Sequence, residues 1–282
     1  MQTLAEIRAM LDERGLAPRK RLGQNFLIDH NLIRRLVDVS GVGAGDLVLE
    51  VGPGTGALTD ELLGRGCVVI ACELDAGLAE LQRDRQGGRA CTVIEGDCLA
   101  GKRGLNADVT RAIDGRRYTL VANLPYGAAT PLMLALLCDP LCLGQHVTIQ
   151  REVADRLAAV PGTKAYGAIS VVAQTVARVE RLAKLPPECF WPRPEVTSAM
   201  VGLTPVADHG IEDIASFAAF CQRLFIGRRK QVGKALASAL GDAGVSEGLL
   251  SRVDLSAIDP TERAERLDAA TIASLFRDAC SG

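Results

Sequence analysis

Short apolar runs alternate with amphipathic stretches through the first 150 residues of the chain. The apolar runs predict buried strands at 47–52, 67–75, 91–97, 118–125 and 146–150. Helical periodicity occupies the intervening segments 55–66 and 76–85. Strands that alternate with helices predict βαβ units and a doubly wound parallel sheet of the α/β class. Such strands are buried on both faces, which explains runs that are continuously apolar.

The pattern changes after Gln150. A helical stretch at 151–160 is followed by a loop at 161–167 and an apolar segment at 168–179. A proline-rich passage at 185–205 leads into a last strand near 197–203, and every pattern from about residue 211 onward is helical. We therefore predict two domains, 1–205 with an N-terminal helical extension and a small all-helical domain over 206–282.

Composition narrows the class of protein. With 48% hydrophobic and 23% charged residues, the chain has globular composition, which excludes a disordered or fibrous protein. No apolar run approaches the ~18 residues of a membrane span, and the charged N-terminus is unlike a secretory signal. Nine cysteines without a Cys-x-x-Cys pair, and only three histidines, argue against a zinc site. We expect a cytoplasmic protein with no membrane segment and no metal.

Three consecutive predicted strands end in residues suited to ligand binding. The first strand runs into a glycine loop that contains Gly52 and Gly54, and glycine lets a backbone turn sharply close to a ligand. Glu73 ends the second strand, where a carboxylate can bind both ribose hydroxyls of an adenosine. Asp97 ends the third and is placed to accept from an adenine amino group. The alternative is that Glu73 and Asp97 are solvated helix caps.

The form of the loop indicates the charge of its ligand. Dinucleotide sites use G-x-G-x-x-G, whereas this loop reads G-x-G-x-G and follows an acid, Glu50. An acidic loop suits a cationic ligand better than a pyrophosphate. S-adenosylmethionine, with its sulfonium and ammonium groups, is such a ligand.

The fourth strand ends in Asn123-Leu124-Pro125-Tyr126. An aromatic amine such as adenine N6 is a poor nucleophile because its lone pair is delocalised into the ring. The Asn123 side-chain oxygen and the Leu124 carbonyl can accept its two N–H groups and direct the lone pair toward a methyl donor. Pro125 stiffens the turn and Tyr126 offers a face for stacking. An ordinary strand-to-helix turn is the alternative.

Seven motifs occur in a fixed order: GQNFL (23–27), EVGPGTGALT (50–59), NLPY (123–126), QREVADRL (150–157), PGTKAYGAISV (161–171), FWPRPEVTS (190–198) and FIGRRK (225–230). Together they resemble the small-subunit ribosomal RNA adenine N6,N6-dimethyltransferases, the bacterial kasugamycin-sensitivity methylases. The resemblance runs from about residue 16 to about 275. It implies a Rossmann-like methyltransferase sheet that uses S-adenosylmethionine. The implied reaction dimethylates two adjacent adenosines near the 3′ end of 16S rRNA, late in small-subunit assembly. We expect the substrate to be rRNA in a pre-30S particle and the protein to be a monomer.

The resemblance also assigns residues to roles. The implied cofactor-binding residues are Asn25, Leu27, Gly52, Gly54, Glu73, Asp97 and Asn123. The implied adenine-holding residues are Asn123, Leu124, Pro125, Tyr126 and Phe190, with Phe190 stacking on the face opposite Tyr126. For Phe190 and its neighbour Trp191, core packing is the alternative. The implied rRNA contacts are Arg228, Arg229 and Lys230, in the helical C-terminal domain.

The sequence departs from the family pattern at three places. Gly127 replaces the usual polar residue after NLPY, 231–234 reads QVGK, and the link over 102–117 is longer than usual. Two alternatives share the fold: a large-subunit rRNA adenine methylase of the macrolide-resistance type, and a non-catalytic RNA-binding assembly factor. A nicotinamide oxidoreductase is disfavoured by the form of the loop.

Charge is distributed unevenly behind the near-neutral total of −2. Residues 223–234 carry five basic side chains and no acid, and residues 1–35 carry seven basic against four acidic ones. The basic segments flank the acidic segment that holds the glycine loop. This balance suits an enzyme that recognises a shaped rRNA site better than one that binds any RNA by charge.

Overall fold

The computed structural model describes residues 2–101, 104–241, 258–259 and 261–280. The chain divides into two compact units, the first formed by Met1–Ala154 and Glu180–Thr204, the second by Asp155–Val179 and Pro205–Gly282. The later change of unit falls at the predicted boundary near residue 205. The segment 155–179, which the sequence placed with the first domain, instead belongs to the compact unit that holds the C-terminal helices.

Nine strands occur among the described residues. They are β1 Phe26–Leu27, β2 Leu47–Val51, β3 Val68–Glu73, β4 Cys91–Glu95, β5 Tyr118–Asn123, β6 Cys142–Gln150, β7 Ala177–Leu185, β8 Phe190–Trp191 and β9 Ser198–Pro205. All six strands predicted from the sequence are present. The sequence did not predict β7, in which polar and exposed positions dilute the apolar pattern, or the two short strands β1 and β8.

Eleven α-helices lie in the same described ranges. They are α1 Leu4–Asp12, α2 His30–Ser40, α3 Ala57–Gly64, α4 Ala76–Gln86, α5 Ala107–Ile113, α6 Ala129–Leu137, α7 Arg151–Leu157, α8 Ala168–Val176, α9 Ile214–Ile226, α10 Val232–Gly241 and α11 Ala269–Cys280. No helix in the described part of the chain is both long and apolar enough to cross a membrane.

A seven-stranded sheet forms the centre of the first unit, in the order β4-β3-β2-β5-β6-β9-β7. The first five strands pair in parallel, and β9 pairs antiparallel to β6. The chain enters this sheet in the middle, at β2, and the next two strands add outward to β4. The chain then returns to form β5 on the other side of β2. This reversal is the topological switch point, where open α/β sheets bind ligands at the carboxyl ends of their strands.

Apolar packing holds the helices on the sheet. Leu36 of α2 and Leu62 of α3 are fully buried, in one core cluster with Val48 of β2 and Val121 of β5. Burial of such side chains contributes roughly 1.5–3 kcal/mol each. The ends of the strands, where the chain leaves this core, are therefore held in fixed positions.

The second unit is helical, as predicted for the C-terminal part. Its helix α8 packs against α9 and α11. Six of the nine residues of α8 are buried, including Ile169, Val171 and Val172. A helix that is apolar on most of its surface needs neighbours on several sides. The C-terminal helices provide them, which explains why 155–179 belongs to this unit.

Candidate active site

A cavity of about 730 Å³ opens at the carboxyl ends of β2, β3, β4 and β5, within the first unit. Pockets of about 300–1,000 Å³ are typical of small-molecule sites. Its wall contains all seven predicted cofactor residues, and four of the five predicted adenine-holding residues. Phe190 is the exception. The switch point of the sheet thus brings together residues as distant in the sequence as Asn25 and Tyr126.

The glycine loop between β2 and α3 passes between two other parts of the cavity wall. Gly52 and Gly54 have φ values of 72° and 58°, which disfavour other residues. A Cβ on Gly54 would lie 2.7 Å from the ring of Phe26, and one on Gly52 would lie 3.2 Å from the ring of Pro125. The glycines therefore allow the loop to pack closely against both the GQNFL segment and the NLPY turn.

Both backbone groups of Gly54 are hydrogen-bonded to side chains. Its N–H donates to Glu73 Oε2 at 3.1 Å, and its carbonyl accepts from Gln82 Nε2 at 2.9 Å. The other Glu73 oxygen accepts from the Asp75 N–H at 2.9 Å. Burial raises the pKa of Glu73, against the lowering effect of these N–H donors. Asp75, not Glu73, caps α4, so the helix-cap alternative fails for Glu73.

Glu50 lies beneath the loop and is fully buried. Burial, together with the nearby carboxylates of Asp60 and Glu73, raises the pKa of Glu50 to about 8. The Thr59 hydroxyl donates to Glu50 Oε2 at 2.7 Å, and this hydrogen bond lowers the pKa of Glu50. A carboxyl group of this kind becomes ionised most readily when a positive charge is brought close to it.

Asp97 is exposed at the end of β4 and lines the cavity. Its Oδ1 accepts from the Leu99 N–H at 3.0 Å, so the carboxylate faces a turn. Asn106 caps α5, the helix of the long 102–117 link, and its side chain also donates to the Asp97 carbonyl. The link is thereby tied to the end of β4. Residues 102 and 103 lie outside the described part of the chain.

The Asn123 side chain has two hydrogen-bonded neighbours. Its Nδ2 donates to the Asn25 carbonyl at 2.9 Å, and its Oδ1 accepts from the Thr148 hydroxyl. The ring of Tyr126 lines the same cavity, and its hydroxyl is 2.8 Å from Ser198 Oγ. The Asn123 amide thus anchors the end of β5, and the Tyr126 hydroxyl anchors the turn that follows it.

Two aromatic residues of the FWPRPEVTS motif lie away from the cavity wall. Phe190 is 2% exposed and packs in the core cluster with Leu27, its partner across the β1–β8 pair. Trp191 stacks on Phe26 at 6.2 Å between ring centroids, and the Arg8 guanidinium lies 5.2 Å from its ring. These contacts are core and surface packing, and the stacking role of Phe190 stays a prediction.

The predicted rRNA-binding residues lie in the second unit and differ from one another. Arg228 Nε donates to Glu265 Oε2 at 2.6 Å, and its guanidinium also reaches the carbonyls of Thr163 and Lys164. Arg229 and Lys230 are exposed. Arg228 thus joins three segments of its own unit, whereas its two neighbours extend into solvent.

Sequence reasoning missed several residues that hold the site together. Gln82 holds the Gly54 carbonyl, Gln2 donates to the Thr55 carbonyl at 2.8 Å, Thr59 binds Glu50, and Thr148 binds Asn123. All four are buried. The available signal is a polar residue at an apolar position of the pattern, such as Gln82 after Leu78 and Leu81 on α4. Burial of such a group requires a hydrogen-bond partner.

A doubly wound sheet with a glycine loop, acidic strand ends and an Asn-Leu-Pro-Tyr turn at one cavity defines a Rossmann-like methyltransferase fold. A family model described as ribosomal RNA adenine dimethylase matches residues 15–278. The chain is 38% identical over 279 residues to the Ribosomal RNA small subunit methyltransferase A of Moorella thermoacetica, covering 95% of each chain. It therefore belongs to the ribosomal RNA adenine dimethylase family, and is an enzyme of that class.

Solved structures share the fold. A dimethyladenosine transferase from Plasmodium falciparum superposes with a TM-score of 0.73 at 21% identity, over 91% of this chain and 98% of that one. The 23S rRNA methyltransferase ErmE superposes with a TM-score of 0.65 at 22% identity, over 91% and 100%. The architecture is thus common to methyltransferases named for different substrates, so the choice of substrate rests on other features.

Proposed function

We propose that this chain dimethylates N6 of two adjacent adenosines near the 3′ end of 16S rRNA, with S-adenosylmethionine as methyl donor. The observation that best supports this proposal is the orientation of the Asn123 side-chain amide. The amide is held in one orientation at the end of β5, on the wall of the cavity that also contains the glycine loop. An oriented amide oxygen beside a backbone carbonyl provides the pair of acceptors that an aromatic amine needs.

The residues present fit S-adenosylmethionine. Glycine at position 54 lets the loop pack closely against the Phe26 ring at the cavity wall, and Glu73 keeps free lone pairs on both carboxylate oxygens. Glu73 is suited to the ribose hydroxyls and Asp97 to the adenine amine. Asn25, Leu27, Gly52 and Gly54 complete the walls. When bound, S-adenosylmethionine supplies an electrophilic methyl on a sulfonium. The nearby acidic side chains of Glu50 and Glu73 favour the positive charge of that sulfonium.

The chain itself positions the target base. Asn123 Oδ1 and the Leu124 carbonyl accept the two N6–H groups, which turns the nitrogen lone pair out of conjugation with the ring. Pro125 fixes the turn, and the Tyr126 ring supplies a stacking face worth about 1–3 kcal/mol per base. Phe190 is proposed for the other face. No general base is needed, because N6 becomes acidic once it is alkylated and releases its proton to solvent. Positioning then supplies most of the rate.

The proposal includes the setting of the reaction. We place the enzyme in the cytoplasm, acting as a monomer on rRNA in a pre-30S particle, without a metal. The first compact unit, 1–154 and 180–204, forms the methyltransferase part. The helical part after 205 contributes rRNA contacts through Arg229 and Lys230, with Arg228 beside them. The exposed position of Arg229 and Lys230 supports this assignment.

Methylation of immature small subunits tests the proposal. Labelled S-adenosylmethionine is supplied with immature small subunits or with large subunits, and the modified bases are mapped. We expect label in the small-subunit rRNA only, as dimethyladenosine. Asn123→Ala should abolish transfer while calorimetry shows S-adenosylmethionine binding largely intact. Label confined to large subunits would instead identify the macrolide-resistance type of activity. Absence of transfer to either, with rRNA still bound, would identify an assembly factor.

A further inference from the structure

Thr148 lies directly beside the reacting position, on a strand to which the proposed mechanism assigns no role. It occupies β6, and the parallel register pairs it with Asn123 of β5. Its side chain is 1% exposed. A hydroxyl buried this deeply requires a partner, and the Thr148 hydroxyl donates to Asn123 Oδ1.

The direction of this hydrogen bond follows from the chemistry of the neighbours. The Asn25 carbonyl can only accept, so the amide atom that faces it at 2.9 Å is Nδ2. The opposite atom, Oδ1, carries no proton, so the Thr148 hydroxyl must be the donor. The two contacts on opposite sides of the amide fix its rotation. Without the Thr148 contact, only the Asn25 carbonyl would orient it.

Thr148 also holds the second acceptor. Its backbone carbonyl accepts from the Leu124 N–H at 3.1 Å. The hydroxyl of Thr148 therefore places the Asn123 oxygen, while its carbonyl places the main chain of Leu124. An sp² oxygen has two lone pairs, so Asn123 Oδ1 keeps one for the substrate while it accepts from Thr148.

We propose that Thr148 is a positioning residue for methyl transfer, which holds both acceptors of the target amine in place before the substrate arrives. This inference rests on the proposed function. It assigns to β6 a task that its apolar pattern does not indicate. Pre-orientation of this kind acts on the rate of transfer and leaves the binding of the methyl donor unchanged.

The two successive methylations depend on this orientation to different degrees. Adenine N6 has two N–H groups for the two acceptors, whereas the monomethylated amine has only one. A single hydrogen bond then orients the nitrogen. A loosened Asn123 amide therefore impairs the second transfer more than the first, and monomethylated product accumulates.

The test compares Thr148→Val, which keeps the shape and removes the hydroxyl, with Thr148→Ser, which keeps the hydroxyl. Thr119→Val makes the same change on β5, outside the cavity wall, and serves as the matched control. The readouts are kcat on immature small subunits, the ratio of monomethyl- to dimethyladenosine, S-adenosylmethionine affinity by calorimetry, and the thermal midpoint.

For Thr148→Val we expect kcat to fall on the order of 10 to 100 fold, the monomethyl fraction to rise, and S-adenosylmethionine affinity to stay within about twofold. Thr148→Ser and Thr119→Val should resemble the wild type. The proposal is overturned if Thr148→Val keeps wild-type kcat, or if kcat falls as far in Thr148→Ser as in Thr148→Val. It is also overturned if the fall in kcat is fully explained by a smaller amount of folded protein while the ratio of monomethyl- to dimethyladenosine stays unchanged. A wild-type enzyme that methylates no small-subunit rRNA would refute the proposed function instead.

Discussion

The carboxylate of Glu73 and the backbone N–H of Gly54 are joined by a 3.1 Å hydrogen bond between the end of β3 and the glycine loop. The contact links two features that the sequence shows 19 residues apart. It lets one side chain shape the loop and also line the cavity. Under the proposed function, Glu73 therefore couples the conformation of the loop to the recognition of the methyl donor.

Replacement of Glu73 tests this coupling. Glu73→Gln removes the negative charge and leaves a single amide oxygen for the two backbone donors, so one of them loses its acceptor. Hydrogen bonds to charged groups contribute about 1.5–3 kcal/mol. We expect S-adenosylmethionine affinity, measured by calorimetry, to fall about 10-fold to 100-fold. Glu61→Gln, on α3 and away from the cavity wall, is the matched control and should bind normally. Normal S-adenosylmethionine affinity in Glu73→Gln would contradict the proposed role of Glu73 in cofactor binding.

The buried carboxyl of Glu50 predicts a pH dependence of stability. Its pKa is about 8 in the folded chain, against an ordinary value of 4.5. Between these values the folded state binds more protons than the unfolded state, so the free energy of unfolding decreases as pH rises. For one proton the slope reaches about 1.4 kcal/mol per pH unit. The contribution is fully present below pH 4.5 and is lost as pH rises toward about 8.

Glu50→Gln should remove this contribution. We expect urea unfolding between about pH 5 and 8 to show a flatter pH dependence in the variant than in the wild type. Burial also raises the pKa of Glu73, so some slope should remain. Thr59→Val, which removes the hydrogen bond that lowers the pKa of Glu50, should extend the wild-type decline to higher pH. Identical pH profiles for Glu50→Gln and the wild type would contradict the raised pKa.

We propose two different tasks for the basic side chains at 228–230. Arg229→Ala combined with Lys230→Ala should weaken rRNA binding, and lower the slope of log K against log salt by about 2, without changing the thermal midpoint. Arg228→Ala should lower the free energy of unfolding by about 1–2 kcal/mol, because Glu265 and two carbonyls lose their donor. Filter binding at several salt concentrations and thermal unfolding measure the two effects. An Arg228→Ala protein of normal stability would contradict its structural task.

Phe190 allows packing and stacking to be separated. Phe190→Leu retains an apolar side chain and removes the flat ring. Loss of core packing should lower the free energy of unfolding by about 1–2 kcal/mol. The proposed stacking on the base predicts, in addition, a loss of turnover per folded molecule of about fivefold or more. Urea unfolding and single-turnover methylation on the same preparation measure both. Unchanged turnover per folded molecule would leave Phe190 with the core role alone.

Much of the site was predictable from particular residues. Glu73 and Asn123 end apolar strands, and Gly52 and Asp97 come just after two others. Parallel strands bring their carboxyl ends to one edge. The cavity contains all four. The strand β7 was not predictable, because an exposed, charged strand lacks the apolar alternation that identifies strands. The membership of 155–179 in the second unit was equally hidden, since it depends on which helices cover α8.

The sequence by itself determined the class of fold, the edge of the sheet that forms the cavity, and the family. It could do so because the alternation of strands with helices, the glycine loop and the residues at strand ends are local patterns, and parallel strands bring those ends to one edge. Only the tertiary structure decided which side chains hold those residues in place. Gln82 reaches Gly54 from another helix, Thr148 orients Asn123 from the next strand, and Arg228 is bound to Glu265. Such contacts join distant positions through hydrogen bonds whose partners become known only when the backbone brings them together.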